Sequence, residues 1–322
     1  MTDTVSVKGV FKKNNTRRRV TNAVFNISLV LIAFSVSLFF SDEIAHSVKS
    51  GLSLCANVII PSVFPFIVIS DFLYSTMDFS SLKFIDGVFR RVFKISAEGL
   101  YAFVLGILCG FPLGVKCVRD LYLSGNITKD ESERLIGFCN NTGPAFLVCG
   151  IGLGLRGNIA EGIILYVAMV ISAIICGIVL SIGAKSETGT ESIRQAPPFS
   201  FTLSIKNAGI NTLNICSYLT FFACACGILR KLLGECYLYI GILPFLEIGS
   251  STSILSKTSL LNKFQSLALS GFAVGFSGLS VHLQALSFLI DTDISAKRYF
   301  ISKLLQGILC MLISSLLYLT LI

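Results

Sequence analysis

The chain has 322 residues, of which 53% are hydrophobic and 14% charged, and its mean hydropathy is +0.80. Soluble domains carry roughly a quarter charged residues, so the composition excludes an ordinary water-soluble globule and points to an all-α polytopic membrane protein. The net charge of +8 is read as membrane topology and contact with anionic lipid, and nucleic acid is not expected as a partner.

Residues 1–19 form a basic tail, with Lys8, Lys12, Lys13, Arg17, Arg18 and Arg19 against the single acid Asp3. Positive charge stays on the cytoplasmic side, so the N-terminus is expected in the cytoplasm. The apolar run 20–40 that follows is too long for a signal peptide and has no A-x-A cleavage site after it, so it is expected to be a retained first helix. Further windows of about 20 apolar residues, long enough to cross roughly 30 Å of hydrocarbon, lie at 58–77, 159–184, 211–230 and 299–322. Between the first two, Lys83, Arg90, Arg91 and Lys94 mark a second cytoplasmic loop. Shorter apolar stretches at 100–109 and 144–155 are interrupted by Gly or Pro, giving about 8–10 membrane segments in all.

The interrupted stretches carry the chemistry. In GFPLGVK (110–116), Gly110 ends a short helix, Pro112 opens the next, and Lys116 follows one turn later; a helix N-terminus beside a lysine is an anion site. Lys116 equally fits snorkelling to the interface or pairing with Asp120. Thr128 and Glu131 have capping-box spacing, so a helix is expected from about Lys129. It meets Asn140, Asn141, Thr142 and Gly143, which terminate helices, and Pro144 suits the first turn of a new one. Two readings of Asn140 and Asn141 stay open: they cap the free backbone groups of the break, or they also line a solute cavity.

The polar stretch 185–200 is a linker between a first membrane half, 20–184, and a second, 201–322. Residues 47–64 echo 204–221, matching Ser47 with Ser204, Lys49 with Lys206, Asn57 with Asn214 and Phe64 with Phe221. Gly106, Gly110 and Phe111 fall over Gly271, Gly275 and Phe276. The expectation is therefore two related halves with discontinuous or re-entrant helices, meeting around a midplane site. In the second half, LPFLEIGSS (243–251) sets Glu247 among apolar neighbours, as a cation ligand, proton carrier or lysine partner. GFSGLSVHLQ (275–284) adds Ser280, His282 and Gln284 on a second hairpin tip, with a helix–helix hydrogen bond the favoured role for His282.

No catalytic chemistry is expected. There is no H-E-x-x-H pair, no G-x-S-x-G elbow, and only two histidines. The eleven cysteines lack metal or disulfide spacing and read as small buried apolar residues; no cofactor or metal is expected.

GFPLGVK at 110–116, GNITKDESERLIGFCNNTGPAFLVCGIGLG at 125–154, LEIGSS at 246–251 and GFSGLSVHLQ at 275–284 together resemble the sporulation integral membrane protein family YlbJ. That family lies within the wider group carrying the nucleoside-recognition Gate domain. The resemblance covers roughly residues 41–322, and it departs from the family pattern at Phe111, where tyrosine is usual, and at Gly249-Ser250-Ser251, where Thr-Asn-Gly is typical. The resemblance implies a multi-pass protein of the cell membrane, in a sporulating cell the outer forespore membrane, that moves a small anionic metabolite of the dipicolinate kind. The implied partners are that anionic substrate, a coupling cation or proton and membrane lipid, with room for a homo-oligomer. Substrate-binding residues on this reading are Gly110, Pro112, Lys116, Asn140, Asn141, Thr142, Gly143, Pro144, Glu247, Ser280 and Gln284. Two alternatives remain: a nucleoside-like or cation-coupled carrier, and a non-transporting component of a spore-envelope complex.

Overall fold

The structure, a computed structural model, describes residues 26–28, 30–32, 34–76, 83–184 and 200–321. The expected basic tail, and the polar linker apart from Ser200, lie outside the described residues. The chain divides into two units, 1–46 and 47–322. In the first, the described residues form a short apolar helix, α1 (Asn26–Phe39), and the opening of α2 (Ser41–Leu54).

Every regular element among the described residues is helical, as lipid requires of a chain that does not close into a barrel. The protein is an all-α polytopic membrane protein. Among the described residues, five helices are long and apolar enough to cross a bilayer.

In the second unit, α2 passes through a π-helical turn, Cys55–Ile59, into α3 (Ile60–Thr76). Then come α4 (Lys83–Phe93), α5 (Ala97–Leu108), α6 (Leu113–Leu123), α7 (Lys129–Cys139), a π-helical segment Ala145–Leu155, and α8 (Ile159–Ser181). Beyond the linker lie α9 (Phe201–Leu233), α10 (Tyr237–Leu246), α11 (Ile248–Lys257), α12 (Lys263–Phe276), α13 (Gly278–Leu289) and α14 (Lys297–Leu321).

The same order occurs on both sides of the linker. Apart from α4, which has no counterpart between α9 and α10, a long helix (α3 or α9) precedes a first broken helix (α5–α6 or α10–α11), a second broken helix (α7 with its π segment, or α12–α13) and a closing long helix (α8 or α14). Helix α3 packs on α9, and α8 on α14. In this order 97–123 takes the place of 237–257, whereas the spacing matched Gly106, Gly110 and Phe111 with Gly271, Gly275 and Phe276 on α12. Those glycines recur for a local reason, close helix approach. A Cβ at Gly275 would lie 2.5 Å from the Gln306 carbonyl oxygen on α14.

Capping follows the sequence with one exception. Thr128 accepts from the Glu131 amide at 3.2 Å and α7 starts at Lys129. The Glu131 carboxylate does not return to Thr128; it accepts from the amide and hydroxyl of Ser96 at 2.6 and 2.7 Å, holding the start of α5. Asn262 and Gln265 form a complete capping box on α12.

The α5–α6 pair folds back on itself because Gly106 and Gly114 let the two helices touch: a Cβ at Gly114 would lie 3.2 Å from the Gly106 Cα. Both glycines also face the carbonyl of Cys139, which a Cβ on either would strike. Overpacking costs about 1–3 kcal/mol, so Gly106→Ala is expected to lower the melting temperature in detergent by several degrees. Gly209→Ala on α9, where a Cβ meets nothing within 4 Å, should leave it unchanged or raise it.

Candidate functional site at the crossed helix breaks

The two breaks of the first half cross each other. Gly110, at φ +82°, ends α5, and the Phe111–Pro112 peptide is cis before α6 begins. Against this turn lies Gly143. A Cβ on Gly110 would sit 2.6 Å from the Gly143 nitrogen, and one on Gly143 would sit 3.2 Å from the Cys109 carbonyl carbon. In the second half, Gly278 (φ +67°) lies against the α10–α11 break, where a Cβ would be 3.0 Å from the Leu246 carbonyl oxygen.

A narrow crevice opens at the first crossing. Its polar lining includes Ser62 and Thr142, its backbone lining Gly110 and Gly143, and its aromatic walls Phe66, Phe111 and Phe146. Phe111 and Phe146 meet edge to face at 6.4 Å. Both π-helical segments contribute, through Ile59 and through Ala145 and Phe146; π turns often mark functional positions because they break the regular hydrogen-bond ladder. Thr142 is fully buried and its hydroxyl has no hydrogen-bond partner among the described residues.

Asn140 and Asn141 stand behind the crevice and brace the break. The Asn141 side-chain amide donates to the Phe138 carbonyl at 2.6 Å and accepts from the Gln306 amide at 2.8 Å. The Asn140 amide donates to the Tyr299 hydroxyl at 3.0 Å, which lies 2.8 Å from His282 Nδ1. Lys303 Nζ donates to the Asn140 carbonyl and, at 2.7 Å, to Gln306 Oε1. A lysine thus sits at the C-terminal end of α7, where the helix dipole is negative. At the α10–α11 break the opposite charge meets the opposite pole: the buried Glu247 carboxylate accepts from the amides of Gly249, at 2.7 Å, and Ser250, capping α11.

The sequence-derived candidates therefore separate. Gly110, Thr142 and Gly143 line the crevice; Pro112 and Pro144 precede the helices that open beside it. Lys116 lies 3.9 Å from Asp120, the pairing its spacing allowed, and no ion pair among the described residues joins it to Glu247. Ser280 and Gln284 are buried on α13, beyond the second crossing. Sequence reasoning missed Lys303, Gln306 and Tyr299. The signal was present: KLLQ at 303–306 puts an ionisable residue inside an apolar 25-residue helix. Among the described residues no three His, Cys, Asp or Glu side chains cluster as a metal site.

Outside the membrane-spanning helices, the loop between α13 and α14 is tied to the first half. Arg119 pairs with Asp291, Lys129 with Asp293 at 2.8 Å, and the Tyr122 hydroxyl donates to Asp293 at 2.6 Å. The bond from Arg119 holds the Asp291 carboxyl below the usual carboxylate range, and those from Lys129 and Tyr122 do the same for Asp293.

Compared with known proteins, the chain is 24% identical to the sporulation integral membrane protein YlbJ of Bacillus subtilis (strain 168), over 88% of this chain and 81% of that one. That match supports membership of the YlbJ family. No family model matches the chain, and no solved structure matches it.

Two outcomes follow. Glu247→Ala leaves buried amides of α11 without an acceptor, which costs about 1–3 kcal/mol, and should lower the melting temperature measured by scanning fluorimetry, with Glu247→Asp recovering part of it. The Asp291 and Asp293 pairs have folded pKa values below the unfolded value of about 3.9. Their stabilisation is present above that value and lost as pH falls through the lower folded one. Because both carboxylates are exposed the effect is small, and Asp293→Asn should make the melting temperature fall less steeply between about pH 5 and pH 3 than in the parent.

Proposed function

We propose that the protein is a membrane transporter for a small anionic metabolite, an aromatic dicarboxylate of the dipicolinate kind, acting in spore maturation. The observation that carries this reading is that the N-termini of α6 and of the π-helical segment both open beside one crevice. Free amides at a helix N-terminus attract anions, and discontinuous helices hold solutes this way in many carriers. The Phe66, Phe111 and Phe146 walls suit a flat ring, and the unpartnered Thr142 hydroxyl supplies a donor for a carboxylate. The name of the Bacillus subtilis relative supports the sporulation setting. The crevice is narrow, so solute entry requires the two breaks to part, and Gly110 and Gly143 are where the two breaks touch.

The test is uptake of labelled dipicolinate, and separately of a nucleoside, into proteoliposomes. Dipicolinate is expected to enter and to be displaced by unlabelled dipicolinate and not by nucleoside. Thr142→Val loses one hydrogen bond to the solute, worth about 1.4 kcal/mol, and should reduce apparent affinity about tenfold while inserting normally. Liposomes that move neither solute would favour a non-transporting role in a membrane complex.

A further inference from the structure

Lys303 is fully buried, yet no ion pair among the described residues includes it. The titratable groups around it are Cys139 from α7, Cys176 from α8, His282 from α13, and Cys310 and Tyr299 from its own helix. On α12 the one ionisable residue is Lys263, at its start. None is a carboxylate. A lone ammonium in a low-dielectric interior is costly, and a buried group in that position is held neutral or is met by an arriving anion.

The hydrogen bonds fit both states. Among the described residues Nζ donates twice, to the Asn140 carbonyl and to Gln306 Oε1. A neutral amine has two N–H groups, so both bonds persist without the third proton. Asn140 Oδ1, in the residue whose carbonyl the amine holds, and the hydroxyl of Ser302, the residue before Lys303, are buried without hydrogen-bond partners among the described residues. The Asn140 carbonyl that anchors the amine is two residues from Thr142, which lines the crevice.

We infer that Lys303 is the proton-carrying group that couples solute movement to a proton gradient, an inference that rests on the transport reading above. When an anion occupies the crevice, the neutral amine takes a proton from hydronium on one side of the membrane: an N–H bond forms and water is left. When the anion departs, the proton returns to water on the other side and hydronium re-forms. Because the two charges are little screened there, each favours the other's presence, and the coupling is reciprocal. Glu247 does not take this role; its oxygens are committed to the α11 amides.

Two transport modes in proteoliposomes test it: dipicolinate accumulation driven by an imposed pH gradient, and counterflow exchange with no gradient. Lys303→Gln keeps a donor but carries no proton, and Lys303→Arg keeps the charge but does not release it. At saturating dipicolinate both are expected to retain counterflow within about threefold of wild type, Lys303→Gln with a raised half-saturation concentration, while losing gradient-driven accumulation and solute-dependent proton uptake. Accumulation at the wild-type level in either stably inserted variant overturns the inference. So does loss of counterflow in both, which would make Lys303 a structural or solute-binding group. A wild-type protein that performs neither mode contradicts the transport reading itself.

Discussion

A backbone that stops being helical in lipid leaves amide and carbonyl groups with no water to bond, and the second unit is organised around four such interruptions. At two of them side chains from within the protein satisfy the freed groups. The C-terminal end of α7 is closed by Asn141 on Phe138, and by Lys303 on the Asn140 carbonyl. The N-terminal end of α11 is closed by Glu247. The Lys303 amine meets a negative helix pole in one half and the Glu247 carboxylate meets a positive pole in the other, so a dipole favours the charged form of each.

The groups that close the α7 break come from the opposite half. Lys303, Gln306 and Tyr299 all stand on α14, yet they hold residues 140 and 141. The two halves are therefore coupled through the same atoms that satisfy the break, and a shift of α14 must either carry the break with it or release Asn140 and Asn141. Tight glycine contacts at Gly110, Gly143 and Gly278 leave little slack at the crossings. Interfaces packed this closely tend to have discrete arrangements rather than a continuous range.

Much of this was legible in the sequence, because a helix break has a chemical signature. Thr128, Gly110, Pro112 and Pro144 announced where helices start and stop, and the structure places α5, α6, α7 and the following segment accordingly. What local sequence does not encode is the partner across space. Glu131 looked like half of a capping box and instead holds Ser96, 35 residues away. Asn140 and Asn141 were open to two readings, and only the positions of Tyr299 and Gln306 show that their side chains brace the break. Lys303 hid inside a long apolar helix whose pattern read as a simple span. The π turn at Cys55–Ile59 has no reliable composition signal; it lies against the second π segment, with Val58 over Gly150.

Transport through this protein, as proposed, requires solute to bind in the crevice between the crossed breaks. The most direct measurement is alkylation of a single Ser62→Cys variant, in a background otherwise free of cysteine, with a thiol reagent in the presence and absence of dipicolinate. Ser62 lines the crevice and is partly accessible, so solute occupying it should slow alkylation in a saturable way at concentrations matching transport. An alkylation rate unchanged by saturating solute, in protein that still transports it, would contradict the account.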